Sequence, residues 1–264
     1  MRYCRFEMEG RPRYGQVEER SGEWWIAALL SPPEEDLLAA VSSPLANFAP
    51  VRVTQAKLLA PVTPSKIVCI GRNYREHAAE LGNVVPKEPM LFLKAPSSLL
   101  PPGGTIRIPE QSARVDFEGE LAVVIGKRCS RMGSNEDVKP YIRGYTIVND
   151  VTARDLQKSD GQWSRAKGFD TFCPAGPWVT DEIDPTTGVG VQTRLNGELL
   201  QDGNTRDLIF PVDFLLRYIT AAMTLMPGDL IPTGTPAGVS AMKDGDRVEV
   251  TIEGIGTLTN TVAR

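Results

Sequence analysis

The chain has 264 residues, 41% of them apolar and 23% charged, with a net charge of −4. That balance fits a globular protein with a sizeable core and argues against a general nucleic-acid binder or a basic membrane-surface protein. The single histidine, His77, excludes histidine-rich metal sites, and Cys4, Cys69, Cys129 and Cys173 lack the spacing of a zinc site, so a metal would sit on oxygen ligands.

Residues 1–60 read as a small N-terminal β-rich domain. Strands are expected over 3–6, 14–17 and 23–28, with Gly10 and Gly22 in turns. A helix opened by proline and acidic residues is expected over 31–41. The unit carries no obvious chemistry and should cover an edge or build an interface. A proline-rich linker, 61–65, separates it from a second domain, 66–264. No apolar stretch reaches the length of a membrane span and Met1 opens no signal-peptide core, so a cytoplasmic protein with free, buried thiols is expected.

The second domain opens with a strand over 66–71, ending in Gly71. A short helix over 75–81 follows, stopped by Gly82 and Asn83. It places His77 and Glu80 three apart on one face, where a carboxylate fixes the tautomer of an imidazole and raises its basicity. The plainer reading is a surface histidine with an incidental partner. The position just past a strand-end glycine favours a site. Residues 83–88 form a polar loop, a candidate lid. The strand over 89–94 ends in Lys94, which reads as a solvated strand end.

Residues 115–126 alternate in a way that leaves a strand apolar on both faces. Glu118 and Glu120 share one face, continued by Ala122 and Val124; Phe117, Leu121, Val123 and Ile125 take the other. Two carboxylates two apart are more often a solvated edge. On a buried strand they would repel each other and lose hydration, and a cation must compensate. The next strand, 143–150, ends in Asp150, which either meets the glutamates or caps a helix over 152–157. Three carboxylates make a hard, all-oxygen site suited to Mg²⁺ or Mn²⁺ and less well to Ca²⁺. Lys167, in a loop over 163–168, could stabilise an enolate or bind a carboxylate. The last third contains a hairpin turning at Asn196-Gly197 and an amphipathic helix over 210–223 with Val212, Phe214, Leu215, Tyr218 and Ile219 apolar. The loop 233–238 offers amides and hydroxyls of the kind that hold an anionic group.

Taken together, Gly71-Arg72-Asn73-Tyr74, His77, Glu80, Phe117-Glu118-Gly119-Glu120-Leu121, Asn149 to Asp155 and Thr233-Gly234-Thr235-Pro236 resemble the fumarylacetoacetate hydrolase superfamily from about Lys66 to the C-terminus. Lys167 to Pro174 resembles its branch of small FAH-domain-containing proteins, and residues 1–60 its variable N-terminal domain. The resemblance implies an α+β fold, a mixed β-sandwich or β-roll with few short helices, and a homodimer. It implies Glu118, Glu120 and Asp150 as ligands of a divalent metal, His77 with Glu80 as the base dyad, and Lys167 as a catalytic cation. Arg154, Gln157 and Thr235, with Arg72, Tyr74 and Gly234 from the same motifs, would line the substrate. A further aspartate that precedes the histidine in the founding hydrolase is missing from Gly71-Arg72-Asn73-Tyr74, which points to a 2-oxo acid smaller than fumarylacetoacetate. A metal-stabilised enolate would then serve acylpyruvate hydrolysis, oxaloacetate decarboxylation, oxaloacetate keto–enol tautomerisation, or the isomerisation or decarboxylation of 2-hydroxyhepta-2,4-diene-1,7-dioate. Two other classes compete: a non-catalytic metal- or ligand-binding β-protein, and a Cys–His hydrolase using Cys69 or Cys173.

Overall fold

Strand Gly119–Ile125 is buried along its whole length, and the fold is stacked on both of its faces. A computed structural model describes residues 1–33, 35, 48–80 and 85–264. The helix expected over 31–41 and its counterpart's stop at Gly82 and Asn83 fall essentially outside the described residues, as does the start of the candidate lid.

The central strand runs antiparallel to Ile142–Asn149 on one side and to Leu230–Pro232 on the other. Beyond Leu230–Pro232 lie Ile67–Gly71 and then Met90–Lys94. Beyond Ile142–Asn149 lies Cys173–Thr180, and onto it the chain's first strand, Arg2–Met8, pairs through Arg2↔Thr180 and Tyr3↔Val179. Arg11–Arg20, Glu23–Leu30 and Val51–Arg52 then extend the same sheet. The N-terminal strands are thus hydrogen-bonded directly onto the strand system of the rest.

A second, five-stranded sheet contains Glu198–Asn204, Gly190–Leu195, Arg247–Ile252, Gly256–Ala263 and Thr105–Arg107. Leu121 and Ile147 of the large sheet meet Val191, Val250, Ile252 and Leu258 of the small one in one apolar layer, which makes a β-sandwich. Farther along the same face, Val123 and Ile125 pack under helix Val212–Ala222 through Leu215, Leu216 and Ile219. The opposite face buries Ala122 and Val124 with Cys69, Cys173 and Ala175. The helices are few and short, as the α+β expectation has it.

Two local expectations need correction. The strand expected over 115–126 is broken. Val115–Asp116 pairs with Thr152–Ala153, Phe117 and Glu118 leave the ladder, and the strand resumes at Gly119. Side chains supply the acceptors there: Glu118 N donates to Asn149 Oδ1 at 2.9 Å and Gly119 N to Gln201 Oε1 at 3.0 Å. Phe117 consequently packs with Val151, Ala153 and Phe172, away from Leu121. Gly119 is required by contact, since a Cβ there would sit 2.2 Å from Thr193 Oγ1. In the helix Val212–Ala222, Phe214 is not a core residue. It is 43% exposed and stacks between Phe210 and Tyr218 on the outer side, while Leu216 takes the buried place. The hairpin forms as expected, with Asn196 (φ 52°) and Gly197 (φ 87°) both left-handed.

Candidate active site

The break in the central strand sets up the acidic centre. Asp150 N donates to Glu118 O at 2.8 Å, so the residue after one strand is tied to the residue before the other. One carboxylate oxygen each from Glu118, Glu120 and Asp150 lies within 4.8 Å of the others, and none of the three is more than 4% exposed. Asp150 caps no helix: the next helix, Arg154–Ser159, starts after Ala153, whose side chain makes no cap bond.

Buried carboxylates at this spacing demand positive charge. Lys167, on the short helix Ser164–Gly168, donates to Glu118 Oε2 at 2.7 Å and to Asp150 Oδ2 at 2.6 Å. Lys94 supplies a second ammonium, 2.6 Å from Asp150 Oδ1 and 3.2 Å from Val151 O. The reading of Lys94 as a solvated strand end is therefore wrong: it is 2% exposed and faces inward with Met90 and Phe92 along its pleat. Arg154 donates from Nη2 to Glu118 Oε1 at 2.5 Å. Glu120 is different. Its Oε2 accepts from Gly234 N at 2.7 Å, a backbone amide rather than a cation. Burial, with Asp150 and Glu118 alongside, pushes its carboxyl well above the ordinary range. Burial pushes Glu118 the same way, but Lys167 and Arg154 outweigh it and hold Glu118 well below.

The dyad comes from the chain just past Gly71. Asn73 pins that turn, donating to Phe210 O and Thr233 O at 3.1 and 2.8 Å and accepting from Phe210 N at 2.8 Å. Helix Arg75–Glu80 then presents His77, with Nδ1 3.3 Å from Glu80 Oε2. Glu80 Oε1 accepts from Gly238 N at 3.0 Å. Two amides of the loop 233–238 are taken up by the protein's own carboxyl groups, Gly234 N by Glu120 and Gly238 N by Glu80. Burial lowers the pKa of His77 from its ordinary value, opposed only in part by Glu118 and Glu80.

Both groups open on one cavity of about 460 Å³. The acids Glu118, Glu120 and Asp150 line it together with His77 and Glu80, with Lys167, Arg154 and Gln157, and with Arg72, Lys158 and Thr235. Phe92 and Trp163, 5.2 Å apart edge to face, form an apolar wall. Lys167 Nζ sits 5.0 Å from the centre of the Phe92 ring, a contact that dries the ammonium.

Two expected lining residues are elsewhere. Tyr74 is buried beside a second cavity with Arg75, Asp202 and Arg206, held by a bridge to Leu208. Gly234 has its amide on Glu120, and a Cβ there would lie 2.7 Å from Asn73 Cβ. Residues that sequence reasoning missed are Lys94, Asn73, Gln201, Phe92 and Trp163. Gln201 is fully buried and ties Gly119 to the loop, donating to Thr235 Oγ1 at 2.7 Å and Pro236 O at 2.8 Å.

The thiol alternative fails. Cys69 and Cys173 are wholly buried outside the cavity lining, and burial raises both thiols, Cys173 to about 12. The donor set does fit a divalent cation: three hard oxygen ligands converge, and Glu120 has no cation of its own among the described residues.

The fumarylacetoacetate hydrolase C-terminal family model matches residues 66–263. The chain is 44% identical over 224 residues to the oxaloacetate tautomerase YisK of Bacillus subtilis, covering 80% of this chain and 74% of that protein. Its structure matches that of 2-hydroxyhepta-2,4-diene-1,7-dioate isomerase from Mycobacterium marinum with a TM-score of 0.87 and 41% identity, over 100% of this chain and 98% of the other. It also matches a fumarylpyruvate hydrolase from Pseudomonas aeruginosa, solved with Mn²⁺ and pyruvate, at TM-score 0.71 and 30% identity, over 77% of this chain and 91% of that one. Motif, acidic centre and fold agree: the chain belongs to the fumarylacetoacetate hydrolase family.

Proposed function

We propose that the protein is a divalent-metal-dependent enzyme acting on small 2-oxo acids by moving a proton at the carbon next to the ketone, with oxaloacetate keto–enol tautomerisation as its leading reaction. The observation that carries this reading is the sharing of one cavity by the buried acidic centre and a histidine whose neutral form burial favours. Glu118, Glu120 and Asp150 would hold Mg²⁺ or Mn²⁺, with Ca²⁺ as a weaker fit to the same oxygens. When bound, such an ion supplies Lewis-acid polarisation to the substrate's oxygens.

The chain's own residues do the rest. Glu80 orients His77, and the neutral imidazole takes the proton from the carbon next to the ketone; a proton delivered to the 2-oxo oxygen completes the enol, and the two transfers in reverse give the ketone. The Lys167 ammonium supplies positive charge against the oxyanion that develops on the 2-oxo oxygen. Arg154 and Gln157 orient the carboxylate end, and Thr235, fixed by Gln201, limits the space beside it. Phe92 and Trp163 exclude water on the far wall.

The isomerase and hydrolase names among the relatives favour a second reading on the same residues: isomerisation of 2-hydroxyhepta-2,4-diene-1,7-dioate, or acylpyruvate cleavage with His77 activating water. Assays with oxaloacetate, acetylpyruvate and the hydroxy-dienedioate, each with and without EDTA, separate these. Tautomerisation abolished by EDTA and restored by Mg²⁺ is expected. EDTA-insensitive turnover would end the metal reading. Residues 1–60 fit the family's variable N-terminal domain, docked on strand Cys173–Thr180, and the working assembly is a cytoplasmic homodimer; light scattering should give twice the chain mass.

A further inference from the structure

Asp116 is the buried acid that the chemistry above leaves unused. It is fully excluded from solvent and absent from the cavity lining. Two arginines bind it. Arg114, whose side chain is 56% exposed, donates from Nε and Nη2 at 2.9 and 3.1 Å. Arg154 donates from Nε at 2.9 Å. The remaining arms of Arg154 reach Glu118 and, from Nη1 at 2.9 Å, Gln157 Oε1. A guanidinium is planar and its donors are fixed relative to one another. Holding Nε therefore decides where both Nη groups point.

The backbone brings the pair together before any side chain does. Strand Val115–Asp116 pairs with Thr152–Ala153, and Arg154 N donates to Arg114 O at 2.8 Å. Without Asp116, Arg154 keeps its Nη2 contact to Glu118 but loses the contact at Nε that fixes its plane, and Nη1 swings off Gln157.

We infer that Asp116 is a positioning residue: through Nε of Arg154 it aims that guanidinium at the cavity, and so sets affinity for the anionic end of the substrate without touching it. The inference rests on the reading of Arg154 as the group that orients a substrate carboxylate. Glu118, Glu120 and Asp150 have holds of their own that do not involve Asp116: Asp150 N on Glu118 O, Glu118 N on Asn149 Oδ1, Lys167 on Glu118 and Asp150, and the place of Glu120 in strand Gly119–Ile125.

The test is calorimetric titration of manganese, then of pyruvate into the manganese-loaded protein, for the wild type, Asp116→Asn, Arg154→Met and the double variant. Asn is isosteric and leaves the ladder intact. In Asp116→Asn, manganese affinity should stay within about threefold while pyruvate affinity falls about tenfold or more. In the Arg154→Met background, adding Asp116→Asn should change pyruvate affinity by less than about twofold. Wild-type pyruvate affinity in Asp116→Asn, or an equal loss in both backgrounds, would overturn the inference. Failure of manganese-loaded wild type to bind pyruvate would strike the 2-oxo acid reading instead. A crystal structure of Asp116→Asn then decides the geometry: Arg154 turned off Gln157 supports the inference, and an unmoved guanidinium refutes it.

Discussion

The acidic centre and the histidine dyad share one cavity but are built differently. The acids stand on or beside central strands, each nearly solvent-free, with Lys94, Lys167 and Arg154 bound to two of them. The dyad stands on a six-residue helix, its glutamate is one-third exposed, and the contact between its members is 3.3 Å. An isolated helix of that length does not hold itself; Asn73 and the Gly238 amide do. The centre is therefore fixed by many strong, interdependent contacts, and the dyad by a few weak ones. Changes in the first should reach stability and metal binding, and changes in the second should reach turnover alone.

The sharpest separation is His77→Ala. Turnover should fall by a factor of about 10² to 10⁴ while manganese affinity and Tm hold; a parallel loss of metal affinity would merge the two regions. Lys94→Met breaks a buried pair and leaves Asp150 short of a cation, at a cost of about 3–5 kcal/mol, read by urea denaturation of the metal-free protein. A cost under about 1 kcal/mol, as at an exposed pair, would place Lys94 back at the surface.

Protons give the next contrast. Burial and the neighbouring Asp150 and Glu118 raise the Glu120 carboxyl, so proton and metal compete for it. Metal affinity should rise with pH, with protons released on binding, read by calorimetry in buffers of different ionisation enthalpy. Glu118 has a lowered pKa, so its contribution to stability is present above the ordinary carboxylate range and is lost as pH falls through the acid range. His77 is shifted down, so the acid limb of the pH–rate profile should lie below the ordinary histidine value of about 6.5. The smallest effect is Glu80→Gln, which keeps the Gly238 contact and loses charge beside the imidazole; turnover should fall about tenfold with KM unchanged.

The acidic centre was legible because its pattern is local. Alternation through Ala122 and Val124 buries what shares their face, which places Glu120 inside; Glu118, just beyond the break, is buried as expected but by its own contacts to Asn149, Lys167 and Arg154. The break at Phe117 was not legible. The apolar alternation runs through Phe117 without interruption, and the acceptors that interrupt the ladder, Asn149 and Gln201, lie 31 and 82 residues away. Lys94 was misread for the same reason: nothing beside it distinguishes a solvated strand end from one covered by chain 56 residues further on. Phe214 shows the opposite limit, since helical spacing alone does not tell a core aromatic from one stacked outside between Phe210 and Tyr218.

The most direct test of the acidic centre is manganese titration of the wild type and of Glu120→Gln, which keeps the amide contact to Gly234 but removes the charge. The account predicts one ion per chain for the wild type and affinity weakened at least about a hundredfold in the variant. Equal manganese affinity in the two proteins would contradict it.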